Sequence, residues 1–322
     1  MKKVKKFFIY NMVLSFILVA TLYSLSWIWT NYDDDMSIKF LELERKNIKN
    51  LKIINVGSSH TTYGIKYPEN IKAYNMGLSS QKFYYDFEIL KKYQDRFDKN
   101  CIVIIPISIF SFYSGNDVNN ISRNYIQFLN QDVLIGINKN EYILGKYFSV
   151  TQPIVKIPKT LKYIVVSLKN KKFNKKYIGY SKNLSFEEKQ KAAVETSLSH
   201  LGIGRENKKH NNDKNIGIKQ LINMLNFCEE KGFKPILIST PQTYLYNEQI
   251  GEKNYQERIY DNIKEIEKQI GKKYLYLDYS HDKRFINNLE YFSDDDHLNE
   301  KGAEYFTEIL LNDIEAYGYN FK

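Results

Sequence analysis

From Leu51 onward the chain alternates two hydrophobic patterns. Short segments rich in apolar and β-branched residues read as strands: Leu51 to Val56, Ala73 to Met76, Cys101 to Ile107, Lys234 to Pro241 and Tyr274 to Asp278, the third an unbroken apolar run of the kind covered on both faces. Between them apolar residues return every three or four positions, the stripe a helix needs to pack on a sheet. Phe83, Phe87 and Leu90 form one such stripe, and Ile218, Leu221, Leu225 and Cys228 a second. Ile259, Ile263, Ile266 and Ile270 form a third, and Ala303, Phe306, Leu310 and Ile314 a fourth. Gly232 and Gly271 close two of these helices, and Ser79 or Ser80 stands where the first would be capped. Strand and helix in alternation predict an α/β domain over 51–322, with a parallel sheet between helix layers.

The chain opens differently. Phe7 to Trp29 is an apolar stretch of roughly the 20 residues a helix needs to cross a bilayer. Lys2, Lys3, Lys5 and Lys6 precede it and Asp33, Asp34 and Asp35 follow. That asymmetry predicts a cytoplasmic tail over 1–6 and an extracytoplasmic location for everything past the helix. The stretch exceeds a usual signal-peptide core and no clear small-x-small site precedes the acidic cluster, so 7–29 reads as an uncleaved anchor. Trp27, Trp29 and Tyr32 fit the outer interface, and 30–50 is a charged juxtamembrane lead-in, helical from Met36. A second break spans about 114–215, rich in Asn, Lys and Tyr, with helical patterns only at Thr160 to Leu168 and Ser185 to Leu201. A largely helical or irregular insertion of that length is expected to act as a lid or an acceptor-binding subdomain.

With 322 residues, 43% of them hydrophobic and 15% aromatic, the chain can fill a core besides supplying an anchor. The net charge of +10 includes the four lysines ahead of the anchor. The basic remainder suits anionic lipid or wall polymers, and an extracytoplasmic setting argues against nucleic acid. Cys101 and Cys228 supply neither a metal spacing nor a disulfide framework and read as small core residues.

The first strand stops abruptly at Gly57-Ser58-Ser59-His60, a turn at the carboxyl edge of the sheet, where open α/β sheets bind ligands. A serine hydroxyl there needs a base within reach and an acid to orient that base. Among the five histidines, His297 lies three residues after Asp294 and just ahead of the last helix, so acid and base share one tight turn. This predicts Ser59 as nucleophile, His297 as base and Asp294 as orienting acid. Asp278 and His281 repeat the spacing after the fifth strand and stand as a rival pair. Ser58 and His60 are expected at the site wall, with His60 pointing away from Ser59 on an extended turn. Asp295 and Asp296 are expected in solvent, or else to keep a proton on His297 longer. His200 and His210 are expected in solvent within the insertion. The plainer reading of Ser58 and Ser59, a strand-ending turn whose hydroxyls satisfy the backbone, yields to the distant Asp-x-x-His.

Gly57-Ser58-Ser59, Asn75-Met76-Gly77 and Asp294-x-x-His297, in that order, resemble the first, second and last blocks of the SGNH or GDSL esterase and acyltransferase superfamily. The likeness is to its membrane-anchored extracytoplasmic branch, which includes proteins of lipoteichoic acid D-alanylation and alginate O-acetylation, and it covers about Leu51 to Asp117 and Ile216 to Ile314. It implies a flavodoxin-like three-layer sheet of SGNH type and an acyl-enzyme on Ser59. It further implies O-acyltransferase or esterase action on a cell-envelope polysaccharide or teichoic-acid-like polymer, with no cofactor and no metal. A membrane-bound O-acyltransferase is the implied partner. The implied oxyanion hole takes the backbone N–H groups of Ser59 and Gly77 and a polar side chain after the third strand. The family's Gly-x-Asn-Asp is absent there; Pro106-Ile107-Ser108-Ile109 stands instead, leaving Ser108 or Asn116 as donor. That departure keeps a second class open, a catalytically silent scaffold or polymer-binding protein on the same sheet.

Overall fold

The structure, a computed structural model, describes residues 2–30, 35–113, 119–149, 156–169, 183–202 and 207–321. In chain order its elements begin α1 (Lys2–Ile28), α2 (Asp35–Arg45), β1 (Leu51–Asn55), α3 (Ser59–Gly64), β2 (Ala73–Asn75), α4 (Phe83–Tyr93) and β3 (Phe97–Pro106). Then come α5 (Asn119–Ser122), α6 (Lys139–Tyr147), α7 (Lys156–Lys169), α8 (Phe186–Leu201), α9 (Asn207–Glu230) and β4 (Lys234–Ser239). The chain ends with α10 (Tyr244–Ile250), α11 (Glu252–Tyr255), α12 (Asp261–Ile270), β5 (Tyr276–Asp278) and α13 (Glu300–Ala316). Two compact units result: Met1–Asn47 with Asn119–Tyr177, and Ile48–Val118 with Ile178–Lys322.

The second unit is built on one sheet of order β2-β1-β3-β4-β5, with every neighbouring pair parallel. This is the order of a doubly wound sheet, whose crevice opens beyond the carboxyl ends of β1 and β3. Ile53, Ile102, Ile104, Ile236 and Ile238 pack with Phe306, Leu310 and Ile314 of α13. Their neighbours Ile54, Val103, Ile105 and Leu237 are equally buried and, by the two-residue period of a strand, face the other way. There α9 packs on β4 and α4. Covering both faces explains why these strands read as unbroken apolar runs. Cys101 and Cys228 are buried, free thiols, and burial pushes both of them up.

Three local expectations change. The turn after β1 is not extended but opens α3, with Thr61 Oγ1 and Thr62 Oγ1 donating to the carbonyls of Val56 and Ser58 at 2.9 Å each. Neither Ser79 nor Ser80 caps α4; Lys82 holds the N-cap position without a side-chain bond, and Ser79 Oγ lies 2.8 Å from the Tyr63 hydroxyl. The region expected to form one insertion contributes α8 to the sheet-bearing unit, entered through a capping box of Ser185 and Glu188, while α5, α6 and α7 belong to the other unit.

The first unit is helical. α1 is long and apolar enough to cross a membrane, and its apolar residues are exposed along most of its length. α6 and α7 pack against it, and Phe40 of α2 stacks on Phe128 with ring centroids 4.2 Å apart. Tyr32, Asp33 and Asp34 lie outside the described residues.

Candidate active site

The site starts at the end of β1. Gly57 has φ +112°, and a Cβ there would fall 2.1 Å from Pro106 Cγ, so only glycine lets the chain pass β3 this closely. The Gly57 N–H donates to Asp86 Oδ1 at 2.7 Å, and Gln81 Nε2 donates to the same oxygen at 2.7 Å. Burial pushes Asp86 up to about 7 despite those two bonds. Ser59 is the first residue of α3, so its N–H has no acceptor within the helix.

The partner loop folds on itself before α13. Ser293 N–H donates to the His297 carbonyl at 2.9 Å. Asp294 Oδ1 accepts the N–H groups of Asp296 at 3.1 Å and His297 at 2.8 Å, the local bonding that makes Asp a turn residue. Phe292 and Leu298 bridge antiparallel beneath it, and Gly302 passes so near Tyr291 that a Cβ would sit 2.1 Å from its carbonyl oxygen.

These segments, 238 positions apart, meet: His297 Nε2 lies 2.8 Å from Ser59 Oγ. His297 Nδ1 is 3.1 Å from both Asp294 oxygens and 2.8 Å from Asp296 Oδ1. The other Asp296 oxygen is 2.9 Å from His60 Nε2 and 3.8 Å from His200 Nδ1. Ser59, His297 and Asp294 are therefore brought together, and Asp296 joins them at Nδ1, where the second of its two expected roles, keeping a proton on His297, puts it. Asp295 and Asp296 are buried rather than solvated, with relative exposures of 1% and 2%. His60 does not point off an extended turn; α3 carries it inward, and its ring centroid is 4.9 Å from that of His297. His200 is not free in solvent either, since its Nδ1 lies 2.7 Å from the Tyr246 hydroxyl. The side chain of His210 lies outside the described residues.

Charge is concentrated here among buried side chains. Burial opposes a cationic His297, but the Asp296 carboxylate and the Asp294 bonds outweigh it and push the ring up to about 10. Burial alone would favour a neutral Asp296, yet the His297 and His60 rings hold it well below the usual carboxylate range. Asp295 is pushed up to about 7, by burial first and then by the two neighbouring carboxylates. Burial brings His200 down to about 4, against the pull of Asp296. Two adjacent acids are thus pushed in opposite directions: the histidines hold Asp296 charged, and burial favours the protonated form of Asp295.

α8 clasps this loop. Lys189, itself buried, donates from Nζ to the carbonyls of Phe292 at 2.8 Å and Leu289 at 3.0 Å, and Leu184 N–H donates to the Ser293 carbonyl at 2.8 Å. Thr243 Oγ1 donates to the Asp295 carbonyl at 2.6 Å.

The remaining predicted positions divide. Ser108 Oγ lies 3.4 Å from His60 Nδ1, on the loop after β3, and Ser58 shares a cleft of about 20 Å³ with Gly57 and Ser108. Gly77 N–H donates to Asn75 Oδ1 at 3.0 Å, and Asn75 Nδ2 donates to the Thr61 and Ile65 carbonyls, so this pair braces α3. Asn116 lies outside the described residues. His281, of the rival pair, bonds Ser280 at 2.9 Å and faces Glu252 at 3.3 Å. A cavity of about 510 Å³ between Tyr67, Ile71 and α13 is lined by none of the site residues. His60, Asp296 and His297 present ligand atoms within 4.8 Å of one another, a spacing a metal ion could use, but the Asp296 oxygens already lie at hydrogen-bond distance from both rings. Compared with known proteins, the chain matches no family model and no curated protein.

Proposed function

We propose that this protein is a membrane-anchored, extracytoplasmic serine acyltransferase or esterase of SGNH type acting on a cell-envelope polymer. The observation that carries the reading is the 2.8 Å approach of His297 Nε2 to Ser59 Oγ, with carboxylates on the opposite ring nitrogen. A carboxylate at Nδ1 fixes the tautomer that leaves Nε2 to accept a proton. Ser59 Oγ attacks the acyl carbon of a donor ester while its proton passes to Nε2. The bond from the acyl carbon to the leaving oxygen then breaks, and that alcohol departs with the proton. A polymer hydroxyl, or water, next loses its proton to Nε2 and attacks the acyl carbon; the bond to Ser59 Oγ breaks, and Nε2 returns the proton to that oxygen. Ser59 N–H, at the start of α3, supports an oxyanion position, with Ser108 on the facing loop as a second donor.

Under this reading the amino terminus lies in the cytoplasm, supported by the four lysines in the first turns of α1 and the three aspartates beyond its end. A polymer as acceptor and an acyl-exporting membrane protein as partner follow from the resemblance of the three sequence blocks.

One observation favours the silent-scaffold alternative: Gly77 N–H, a donor the family resemblance implies, is turned onto Asn75. The two readings separate on treatment of the full chain in detergent micelles with a fluorophosphonate probe. The enzyme reading expects one adduct per chain, lost with Ser59→Ala by a factor of about 10⁴ or more in rate. A folded wild type that takes up no probe would support the scaffold.

A further inference from the structure

The first unit holds a cluster that the serine chemistry does not use. A cavity of about 200 Å³ opens beside the C-terminal end of α1, lined by Tyr23 and Trp27 of α1, Arg45 of α2, Gln127, and Lys146 and Tyr147 of α6. Two cations therefore line one cavity together with three aromatic rings. Gln127 Nε2 donates to the Gly145 carbonyl at 2.7 Å, and Lys146 Nζ donates to the Gln127 carbonyl at 3.1 Å, which fixes the lysine at the cavity wall with donors to spare. Thr30 and Ser149, both buried, meet at 2.9 Å and tie the end of α1 to the segment after α6.

The helices around this cavity are apolar on the outside. α6 exposes Ile143, Leu144 and Tyr147, and α7 exposes Leu161, Val165, Val166 and Leu168. Both pack on α1, whose own apolar residues are exposed along most of its length. The α7 sequence holds four lysines and no acidic residue, a composition that suits an anionic surface. Aromatic rings flanked by Arg and Lys at the end of a spanning helix are the chemistry of the headgroup layer, and Arg matches a phosphate through its fork of donors.

We propose that this unit binds an anionic phospholipid of the leaflet at the C-terminal end of α1: Arg45 and Lys146 take the headgroup phosphate, and the exposed faces of α6 and α7 take the acyl chains. The proposal rests on reading α1 as a membrane anchor, and one experiment separates the two. The chain has two tryptophans, so Trp29→Phe leaves Trp27, on the cavity wall, as sole reporter. The full chain is placed in nanodiscs of zwitterionic phosphatidylcholine with about a fifth phosphatidylglycerol, with bromine on the acyl chains of one lipid at a time. Brominated phosphatidylglycerol is expected to quench Trp27 at least about twofold more than an equal mole fraction of brominated phosphatidylcholine. Arg45→Glu with Lys146→Glu should abolish that preference while quenching by phosphatidylcholine persists. Arg45→Gln alone, a milder change, should weaken it. Equal quenching by the two lipids in the Trp29→Phe chain overturns headgroup binding and leaves the anchor standing, whereas no quenching by either overturns the anchor.

Discussion

The sheet-bearing unit buries three consecutive carboxylates and the His60 ring, while the helical unit leaves Val165, Val166 and Leu168 open to their surroundings. Each departs from the usual sorting, in which charges stay outside and large apolar groups go in. Buried charge is tolerated in the first case because every ring has a carboxylate within reach, and it fixes one geometry about Ser59. Exposed apolar surface in the second lies on helices packed against one long and apolar enough to cross a membrane. Under the proposed function the two exceptions divide the labour: the first prepares a reaction and the second supplies a place for it. Substitutions that restore ordinary sorting in either unit test that division.

The largest effect is expected within the buried network. Asp296→Asn removes the charge nearest His297 Nδ1 and half of the support of His60, and should lower the maximal rate of fluorophosphonate labelling by about 10² to 10⁴. A rate within twofold of wild type would make Asp294 the sole orienting acid. Next comes the clasp: Lys189→Met strands the carbonyls of Phe292 and Leu289, at a cost of about 1–3 kcal/mol in urea unfolding of the sheet-bearing unit. An unchanged midpoint would mean that α8 does not hold the loop. The smallest effect is expected at the open face of α7, where Val165→Ser should leave stability in micelles within about 0.5 kcal/mol and labelling of Ser59 unchanged. Lost labelling there would break the division between the units.

Much of the fold was legible because its strands are buried on both faces, so Cys101 to Ile107 and Lys234 to Pro241 stand out as runs without alternation. Ser59 and Asp294-x-x-His297 were legible as a strand-ending serine and an Asp-His pair on one turn, and the structure brings them together. The short helix α3 was not: six residues are too few for a helical period, and its turn into the protein decides where His60 goes. Nor does Asp294-Asp295-Asp296 tell which carboxylate meets the ring. Asp294 spends one oxygen on the backbone N–H groups of its own turn, while Asp296, two residues on in the same turn, reaches two histidines at once. His200 was hidden for another reason, since only the long-range packing of α8 on α10 carries a polar insertion residue to Tyr246 and Asp296.

The central claim is that His297 draws the proton from Ser59 under the control of Asp296, and the pH dependence of labelling reads it directly. With its value raised from 6.5 to about 10, His297 is a cation at neutral pH and becomes a base only as pH rises. Wild-type labelling of Ser59 should therefore climb from pH 7 with a midpoint near 10, and Asp296→Asn should move that midpoint down towards 6.5 while lowering the plateau. A rate independent of pH over this range, or the same midpoint in both proteins, would contradict the account.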